Sequence, residues 1–316
     1  MLNPYRGNTF FEFFVTLFRR GFLFIKGGLS LDNLATDEIQ LIVLSLIAIS
    51  CALVGVFLVI KKMAMLTNAL SHTVLLGIVC SYLLFQGAVF GQMGLLILVI
   101  ASMITALLTA FFTQFIHKVL NVQQDAAIGL VFTFLFALGI VLATLFTRNV
   151  HIGIEAVMGN ADALFYSDIK QALCLFLVNL IFMLVFFRPY LFSTFDPLFS
   201  KNSGAFVSFF NALFLLQVSF TAILSFRAIG VILVLGFFVS PFLICRLGCD
   251  RIRKLLVYAP LTSFLVVVFS LALSRHLLTV YNIAFSTSAL VGTCLGSLYL
   301  LAIVTKKNLI TLFKKA

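Results

Sequence analysis

Charged side chains are scarce in this sequence. They make up 10% of its 316 residues, whereas a typical soluble domain carries about 25%. Hydrophobic residues account for 63%, and the mean hydropathy is +1.21. A chain of this length cannot bury so much apolar surface in its own core, so a water-soluble globular fold is excluded and a lipid bilayer must be its solvent. Tryptophan is absent as well, and the sequence offers no explanation for that absence or for its 38 phenylalanines.

Patterns that mark several other protein classes are also missing. The short alternating segments of a transmembrane barrel are absent. The net charge of +11 forms no basic stripe interleaved with aromatics, so nucleic acid is not an expected partner. Cys245 and Cys249 have no second cysteine pair that would complete a zinc site. Without a Walker sequence, a nucleophile elbow or an HExxH sequence, the chain is not expected to be an enzyme or to hydrolyse ATP itself.

Long apolar runs fill the chain instead. A helix of about 20 apolar residues crosses a hydrocarbon core of about 30 Å, and about nine runs meet that length, with eight to ten as the range. The sequence therefore predicts an all-α polytopic membrane protein whose transmembrane helices form one bundle. The predicted spans are 39–60, 64–85, 93–116, 126–147, 169–187, 205–225, 228–245, 255–273 and 283–304.

The predicted domain boundary separates an N-terminal extension, residues 1–38, from a transmembrane domain, residues 39–316. The first apolar stretch carries Glu12, Arg19 and Arg20 in its middle. These charges predict an amphipathic helix at the membrane surface rather than a span or a cleavable secretion signal.

Lysine and arginine predict the orientation of the bundle. Cytoplasmic loops of membrane proteins are enriched in these residues, and here they divide thirteen to four between the two sets of loops. Nine spans then leave residues 1–38 outside, although that segment carries four further basic residues. Its phenylalanine-rich stretch could instead insert and return the N-terminus to the cytoplasm. The outer surface is favoured, because Arg19 and Arg20 would cost several kcal/mol in mid-bilayer.

A polar group interrupts the second predicted span. Asn68, Ser71 and His72 stand at positions i, i+3 and i+4, so they are expected on one helix face. His72 is ten residues beyond Lys62, which is about 15 Å along a helix and close to mid-membrane. One interpretation is interhelical hydrogen bonding. The other is a polar station on a cation pathway, with Ser71 or a carbonyl fixing one imidazole nitrogen and the other nitrogen meeting the ion.

The loop from Asn149 to Asp168 is predicted to be external, and it concentrates acidic residues. His151 and Glu155 lie at i and i+4 and could face one ion, and nitrogen with carboxylate oxygen suits zinc, manganese or iron(II). Asp162 and Asp168 follow. The alternative is an ordinary solvated loop.

Two predicted cytoplasmic stretches could contact a partner. The first, 241–256, is basic and is expected to form a short amphipathic helix on the membrane surface, although it could serve only as a positive-inside anchor. In the second, 188–204, Asp196 could cap a short helix. The candidate docking residues are Arg246, Gly248, Asp250, Arg251, Arg253 and Asp196.

Five stretches together resemble the permease subunits of bacterial manganese/zinc/iron ABC importers, in order and over about 39–304. They read GVFLVIKKMAMLTNALSHTVLLGI, NVQQDAAIGLVFTFLFALGI, EAVMGNADAL, FDPLFSKNSG and RAIGVILVLGFFVSPFLICRL.

The resemblance implies partners and a location. Such permeases pair with a second permease subunit, identical or different, in the bacterial inner membrane. They receive the ion from an extracytoplasmic metal-binding lipoprotein and are powered by cytoplasmic ABC ATPases. No permanent cofactor is expected: a divalent manganese, iron or zinc ion is the cargo, membrane lipid surrounds the protein, and ATP is used by the partner.

The resemblance also bears on individual residues. It implies that His72 lines the pathway and that the basic stretch after Pro241 couples to the ATPase. Many members carry Asp at the position of Asn68 and Pro at the position of Leu76, so a charged metal contact at Asn68 is missing here.

Two other functions are compatible with parts of the pattern. A siderophore or cobalamin permease would carry a bulky ligand, whereas the His-bearing face and compact chain favour a bare ion. An ion-coupled secondary carrier would need buried acidic residues and inverted repeats, and the predicted spans hold almost no carboxylate. The sequence does not distinguish among the three metals.

Overall fold

The structure is a computed structural model that describes residues 4–5, 9–25, 34–85, 94–146, 160–195 and 207–315. These residues form α-helices joined by short connections, with no β-strand among them. The helices are α1 (Phe10–Ile25), α2 (Thr36–Ile60), α3 (Ala64–Phe85), α4 (Gly94–Val119), α5 (Gln124–Phe146), α6 (Tyr166–Val185), α7 (Phe187–Phe195), α8 (Val207–Ile229), α9 (Val231–Arg246), α10 (Ile252–Tyr281) and α11 (Thr287–Lys315).

Each of the nine predicted spans coincides with one of these helices, so the predicted fold class is confirmed. Eight of the helices are long and apolar enough to cross a membrane, and α9 is a shorter apolar helix of 16 residues. It is short because Gly230 ends α8 with a positive φ of 86°, a conformation that favours glycine. At about 1.5 Å per residue, α9 spans about 24 Å.

The helix α10 is longer than its predicted span, 255–273. The whole helix has 30 residues, and its last part, up to Tyr281, includes the polar sequence that begins at Ser274. Arg275, in this extra part, donates a hydrogen bond to the carboxylate of Asp37 on α2. The ion pair gives the guanidinium a counter-charge and a hydrogen-bond acceptor, so the helix can continue where the hydrophobic pattern stops.

The helix α2 lies at the centre of the bundle and packs against α6, α9 and α10. Gly55 makes the closest approach, since a Cβ atom there would lie 2.1 Å from the carbonyl oxygen of Phe238 on α9. A second group of helices forms beside this centre, where α3 packs against α4 and α5. Gly77 permits the α3–α4 contact: a Cβ atom there would lie 2.7 Å from the Thr105 hydroxyl. Small residues allow such close packing between membrane helices.

The two ends of the bundle differ in charge. At one end, Lys61 and Lys62 share a cavity with His117 and Ser193, and Val56 packs with the residues around the α9–α10 turn. The opposite end, which we call the acidic end, is defined by Asp37, Glu38 and Asp162 with their partners. The loops that share an end in the structure are those that share a side in the topology predicted from Lys and Arg.

The N-terminal helix α1 is held at the acidic end. Arg20 forms an ion pair with Glu38 on α2, with 2.5 Å between Nε and Oε1, and the Tyr5 hydroxyl donates to the same oxygen at 2.8 Å. Phe10 packs edge-on against Phe269 of α10 with ring centroids 5.6 Å apart. Because Arg20 has a partner there, α1 is anchored without carrying an unpaired guanidinium into the lipid.

One face of α1 remains apolar and exposed. Phe11, Val15, Phe18 and Phe22 follow one another at intervals of three or four residues, and each side chain is more than half exposed. A surface helix with such a stripe can lie in the membrane interface, and the interfacial position of this segment stays a prediction.

Candidate translocation surface

His72 lies on the outer surface of the bundle rather than in its core. Its side chain is exposed on α3, and its ring packs against two stacked phenylalanines of α5. The centroid distances are 5.2 Å to Phe132 and 5.1 Å to Phe136. Neither imidazole nitrogen has a hydrogen bond to any residue that the structure describes. The aromatic contacts therefore orient the ring and leave its nitrogens free for a ligand.

Asn68 shares the surface of His72, and Ser71 does not. Asn68 is half-buried one turn before His72, and its side-chain amide makes no hydrogen bond within the described residues. Ser71 is buried and donates its hydroxyl to the Asn68 carbonyl at 2.7 Å. The hypothesis that Ser71 fixes one nitrogen of His72 is not met, because the serine bonds to the preceding turn of its own helix, as serine often does.

A hydroxyl-rich seam lies on another side of α3. Thr109 on α4 donates to Thr73 at 2.9 Å, and both side chains are fully buried. Thr105 and Thr113 continue the row on α4, each donating to a carbonyl of the preceding turn. This seam supplies the interhelical hydrogen bonding that was the alternative role for the polar residues of α3. His72 and Asn68 take no part in it.

The described part of the chain holds no cluster of three or more His, Cys, Asp or Glu that could bind a metal ion. On this surface of the described chain, His72 is therefore a single potential ligand, with Asn68 one helical turn away. A surface with one imidazole binds an ion only weakly on its own.

The acidic residues at the end of the loop after α5 have structural partners. Asp162 accepts hydrogen bonds from the Thr287 backbone amide at 3.1 Å and from Gln40 at 3.1 Å, so it ties the start of α11 to α2. Asp168 accepts from the Phe165 amide at 2.8 Å and caps α6. Both carboxylates thus fix helix N-termini. The proposed metal ligands His151 and Glu155 lie outside the described residues, as does Asp196.

The basic stretch after α9 forms a turn, which corrects the prediction of a short surface helix. The helix α9 includes Arg246, α10 begins at Ile252, and Arg251 caps it in an extended conformation. Gly248 and Cys249 donate to the Cys245 carbonyl at 3.1 and 2.9 Å and close the turn. A helix does not form because five residues between two helix ends are too few for its nucleation.

The side chains of this turn are nevertheless available to a partner. Arg246 is half exposed and pairs with Asp250, with 3.1 Å between Nη1 and Oδ1. Arg251 and Arg253 are exposed. Gly248 is also exposed, and a Cβ atom there would meet no atom within 4 Å. The turn presents a basic surface at the lysine-rich end of the bundle.

Sequence reasoning counted Lys61 only among the thirteen basic residues that predict the topology and did not identify it as a site residue, because a lysine pair between two spans is typical of a cytoplasmic loop. Its ammonium group lies inside a cavity of about 430 Å³, where it donates to Ser193 at 3.0 Å and to Asn211 at 2.5 Å. It also sits 5.1 Å from the centroid of the Phe214 ring. Burial lowers the pKa of Lys61 to about 8. The sequence held no signal for this site, because the two lysines meet polar residues of α4 and α8 only in the folded structure.

Comparison with known proteins decides the family. Residues 38–306 match the ABC 3 transport family. The chain belongs to that family. The match begins and ends within two residues of the resemblance found in the sequence, and it confirms a permease of the ABC transporter class.

Relatives share most of the length of this ABC 3 family member. It is 38% identical over 316 residues to a metal transport system membrane protein from Chlamydia trachomatis, and the match covers 99% of this chain and 98% of the relative. It is 34% identical over 281 residues to the manganese transport system membrane protein MntD of Bacillus subtilis, covering 83% and 92%.

A solved structure shares the fold of this family member. The match is to PsaBC from Streptococcus pneumoniae in complex with Fab, with a TM-score of 0.67 and 21% identity, and it covers 88% of this chain and 94% of the other. The chain is thus a multi-pass membrane protein with a helix arrangement found in a solved structure.

Proposed function

We propose that this chain is the permease subunit of an ATP-driven importer that moves a divalent transition-metal ion, manganese, iron or zinc, across the bacterial inner membrane into the cytoplasm. The observation that carries the proposal is the pair Asn68 and His72 on one outer surface of α3, and the helix length predicts that His72 lies close to mid-membrane. Both have free polar atoms on an otherwise apolar helix surface.

This pair is costly if lipid covers it. An unpaired imidazole or amide in hydrocarbon costs several kcal/mol, because it has no hydrogen-bond partner there. The surface around it, with Phe132, Phe136 and Met65, is apolar and broad enough to pack against another protein surface. We infer that a second permease subunit covers this side and that the ion passes between the two subunits.

Pairing of subunits also supplies ligands. One chain offers one imidazole nitrogen and an amide oxygen, and a second copy or a similar subunit doubles that set. Neutral imidazole suits all three metals, and without a carboxylate the site attracts the ion only moderately. A weakly held ion can leave after each cycle, which a transport site requires.

The two ends of the bundle suit different partners. A metal-binding lipoprotein would deliver the ion at the acidic end, where His151 and Glu155 belong to the loop that Asp162 anchors. Cytoplasmic ATPases would dock at the basic turn of Arg246, Gly248, Asp250, Arg251 and Arg253, with Asp196 in the neighbouring loop. The relatives named for metal or manganese transport support this assignment of cargo.

The test is metal uptake by vesicles that contain the permease, its ATPase and the loaded binding protein, with the three metals in competition. We expect His72→Ala to reduce uptake at least tenfold at unchanged protein abundance, because the variant loses a ligand and keeps the helix surface. His72→Gln should fold equally well and recover little transport. Leu84→Ala is the matched control, since Leu84 is an exposed side chain on the same helix, α3, but lies about 120° around the helix from His72, and this variant should transport normally.

Normal uptake by His72→Ala would place the pathway elsewhere. A loss of uptake that follows a loss of protein, in His72→Ala and His72→Gln alike, would assign His72 to packing alone.

A further inference from the structure

The cavity around Lys61 has a composition that the transport proposal does not use. It lies between the α2–α3 turn and the ends of α4, α7 and α8, at the lysine-rich end of the bundle, and it has a volume of about 430 Å³. Its polar lining combines two lysines with neutral hydrogen-bonding groups. These are Lys61, Lys62, Gln114, His117, Gln124, Ser193, Thr194 and Asn211.

The cavity has an excess of donors over acceptors. No Asp or Glu lines it among the described residues. Lys61 donates two of its three ammonium protons, to Ser193 and to Asn211. Because the Asn211 oxygen accepts that bond, its NH₂ group is left without a partner in the described chain. His117 Nδ1 lies 2.7 Å from the Val122 carbonyl and must carry the proton there, since a carbonyl only accepts.

A largely buried cation such as Lys61, which has no acidic partner among the described residues, is expensive unless an anion joins it. The remaining ammonium proton and the amide groups of Asn211, Gln114 and Gln124 suit the several oxygens of a phosphate group. The helices that line the cavity also carry exposed phenylalanines: on α4, Phe115 follows Gln114 in sequence and is 53% exposed, and on α7, Phe195 follows Thr194 and is 56% exposed. These helices therefore offer acyl chains an apolar outer surface, so a phospholipid can place its phosphate in the cavity and its chains along the helices.

We propose that this cavity binds the phosphate group of an anionic phospholipid of the cytoplasmic leaflet, with Lys61 as the principal contact. Basic pockets between transmembrane helices on the cytoplasmic side commonly bind anionic headgroups. The side of the membrane follows from the distribution of Lys and Arg, and the proposal does not depend on which ion is transported. The same chemistry would accept free phosphate, so the experiment separates the two sources.

The experiment measures lipid binding to the full-length detergent-solubilised protein by native mass spectrometry. Phosphatidylglycerol is compared with phosphatidylcholine of the same acyl chains, and inorganic phosphate is added as a competitor. We expect phosphatidylglycerol to bind about tenfold more tightly than phosphatidylcholine, because both lipids carry the phosphate but the choline cation of phosphatidylcholine cancels its net charge and is repelled by Lys61 and Lys62. Lys61→Gln should remove that preference, while the control Lys254→Gln, which alters an exposed lysine at the same end, should keep it.

A second variant keeps the proposal testable if Lys61→Gln misfolds. Asn211→Asp has nearly the same shape and gives Lys61 an internal counter-charge, so it should also abolish the preference for phosphatidylglycerol. A preference that survives in a folded Lys61→Gln or Asn211→Asp protein would overturn the proposal. Displacement of the lipid by millimolar phosphate would overturn the lipid as the source. Wild-type protein without any preference for phosphatidylglycerol, and without phosphate binding, would overturn the site and leave an acidic side chain of a partner protein as the occupant.

Discussion

His72 and Lys61 are both polar side chains in otherwise apolar parts of the sequence, but their surroundings in the structure differ and suit them to different roles. His72 is exposed, is oriented only by the rings of Phe132 and Phe136, and keeps both nitrogens free. Lys61 is largely buried, with hydrogen bonds to Ser193 and Asn211. A free nitrogen on a surface suits a passing ion, whereas an enclosed ammonium group suits a resident anion.

Lys61 makes the stability of the delipidated protein depend on pH. Burial lowers its pKa to about 8 in the folded protein, from an unfolded value near that of ordinary lysine, about 10.4. Between these two values the unfolded chain binds more protons than the folded chain, so stability rises with pH. We expect a gain of about 2 kcal/mol from about pH 7 to about pH 9.5.

The measurement is the unfolding free energy from denaturant titration of the delipidated protein in mixed micelles, compared with Lys61→Met. The difference between the two proteins should change by that amount in favour of wild type as the pH rises. A difference that is constant over this range would show that Lys61 keeps an ordinary pKa and is not desolvated.

The sequence correctly predicted which residues share a helix face, because residue spacing alone determines that. It did not predict hydrogen-bond partners where a backbone carbonyl of the same helix competes for the side chain. The interval of four residues put Asn68 and His72 on one surface, as the structure shows. Ser71 was assigned to His72, but its hydroxyl reaches the carbonyl of Asn68 in the previous turn, a bond that any buried helical serine can make. The burial of Lys61 depends on Ser193 and Asn211, more than 100 residues away in sequence, and could not be read from its neighbours.

At the scale of elements, the length of the apolar runs predicted which segments are helical. The polar and charged residues near the end of α10 led to a predicted helix boundary that is too early. Hydropathy could not show that α10 continues to Tyr281, because the ion pair between Arg275 and Asp37 joins positions far apart in the chain. The same reason hid the contact of Arg20 with Glu38, which holds α1 on the bundle. A helix end that depends on a residue far away in the sequence cannot be predicted from local hydrophobicity.

The turn between α9 and α10 is the element on which energy coupling is predicted to depend. Its backbone is fixed by the bonds of Gly248 and Cys249 to Cys245, and Gly248 has open space beyond its Cα atom. A bulky residue there should leave the fold intact and obstruct a docked partner. We expect Gly248→Trp, and separately Arg251→Glu with Arg253→Glu, to reduce ATP-dependent uptake at least tenfold while the protein inserts normally.

Coupling is measured as metal ions transported per ATP hydrolysed in vesicles that contain the partner subunits. Gly292→Trp is the matched control, because that glycine on α11 also has no atom within 4 Å of a Cβ position and lies away from the turn. Equal coupling ratios in Gly248→Trp, the arginine variants and the wild type would remove this turn from the ATPase interface.

At the scale of the whole molecule, charge distinguishes the two ends of the bundle, and we propose that each end meets a different partner. The acidic end gathers Asp37, Glu38 and Asp162, and each carboxylate is tied to another helix. The other end gathers the lysine-lined cavity and the basic turn. At the acidic end, Asp37 and Glu38 are each paired with an arginine, whereas Arg251 and Arg253 at the other end form no ion pair within the described residues. We expect this unpaired positive charge to orient the bundle, because cytoplasmic loops are enriched in Lys and Arg.

The last prediction is the side of the membrane on which each end lies. Single cysteines are introduced at three exposed positions, Thr9, Asn160 and Asp250, in a variant whose six native cysteines are replaced. A membrane-impermeant thiol reagent added to intact cells should label Asn160→Cys and not Asp250→Cys, because thirteen basic residues mark the Asp250 side as cytoplasmic. Thr9→Cys should be labelled like Asn160→Cys, since Arg20 binds Glu38 and holds α1 at the acidic end.

Permeabilised cells provide the control, in which all three positions should react. Labelling of Asp250→Cys alone in intact cells would invert the whole topology and move the acidic end into the cytoplasm. Labelling of Asn160→Cys without Thr9→Cys would mean that α1 crosses the membrane. That result would also require the ion pair between Arg20 and Glu38 to break. Glu38 lies at the outer end of α2, and an arginine paired there cannot also lie inside a transmembrane span that returns the N-terminus to the cytoplasm.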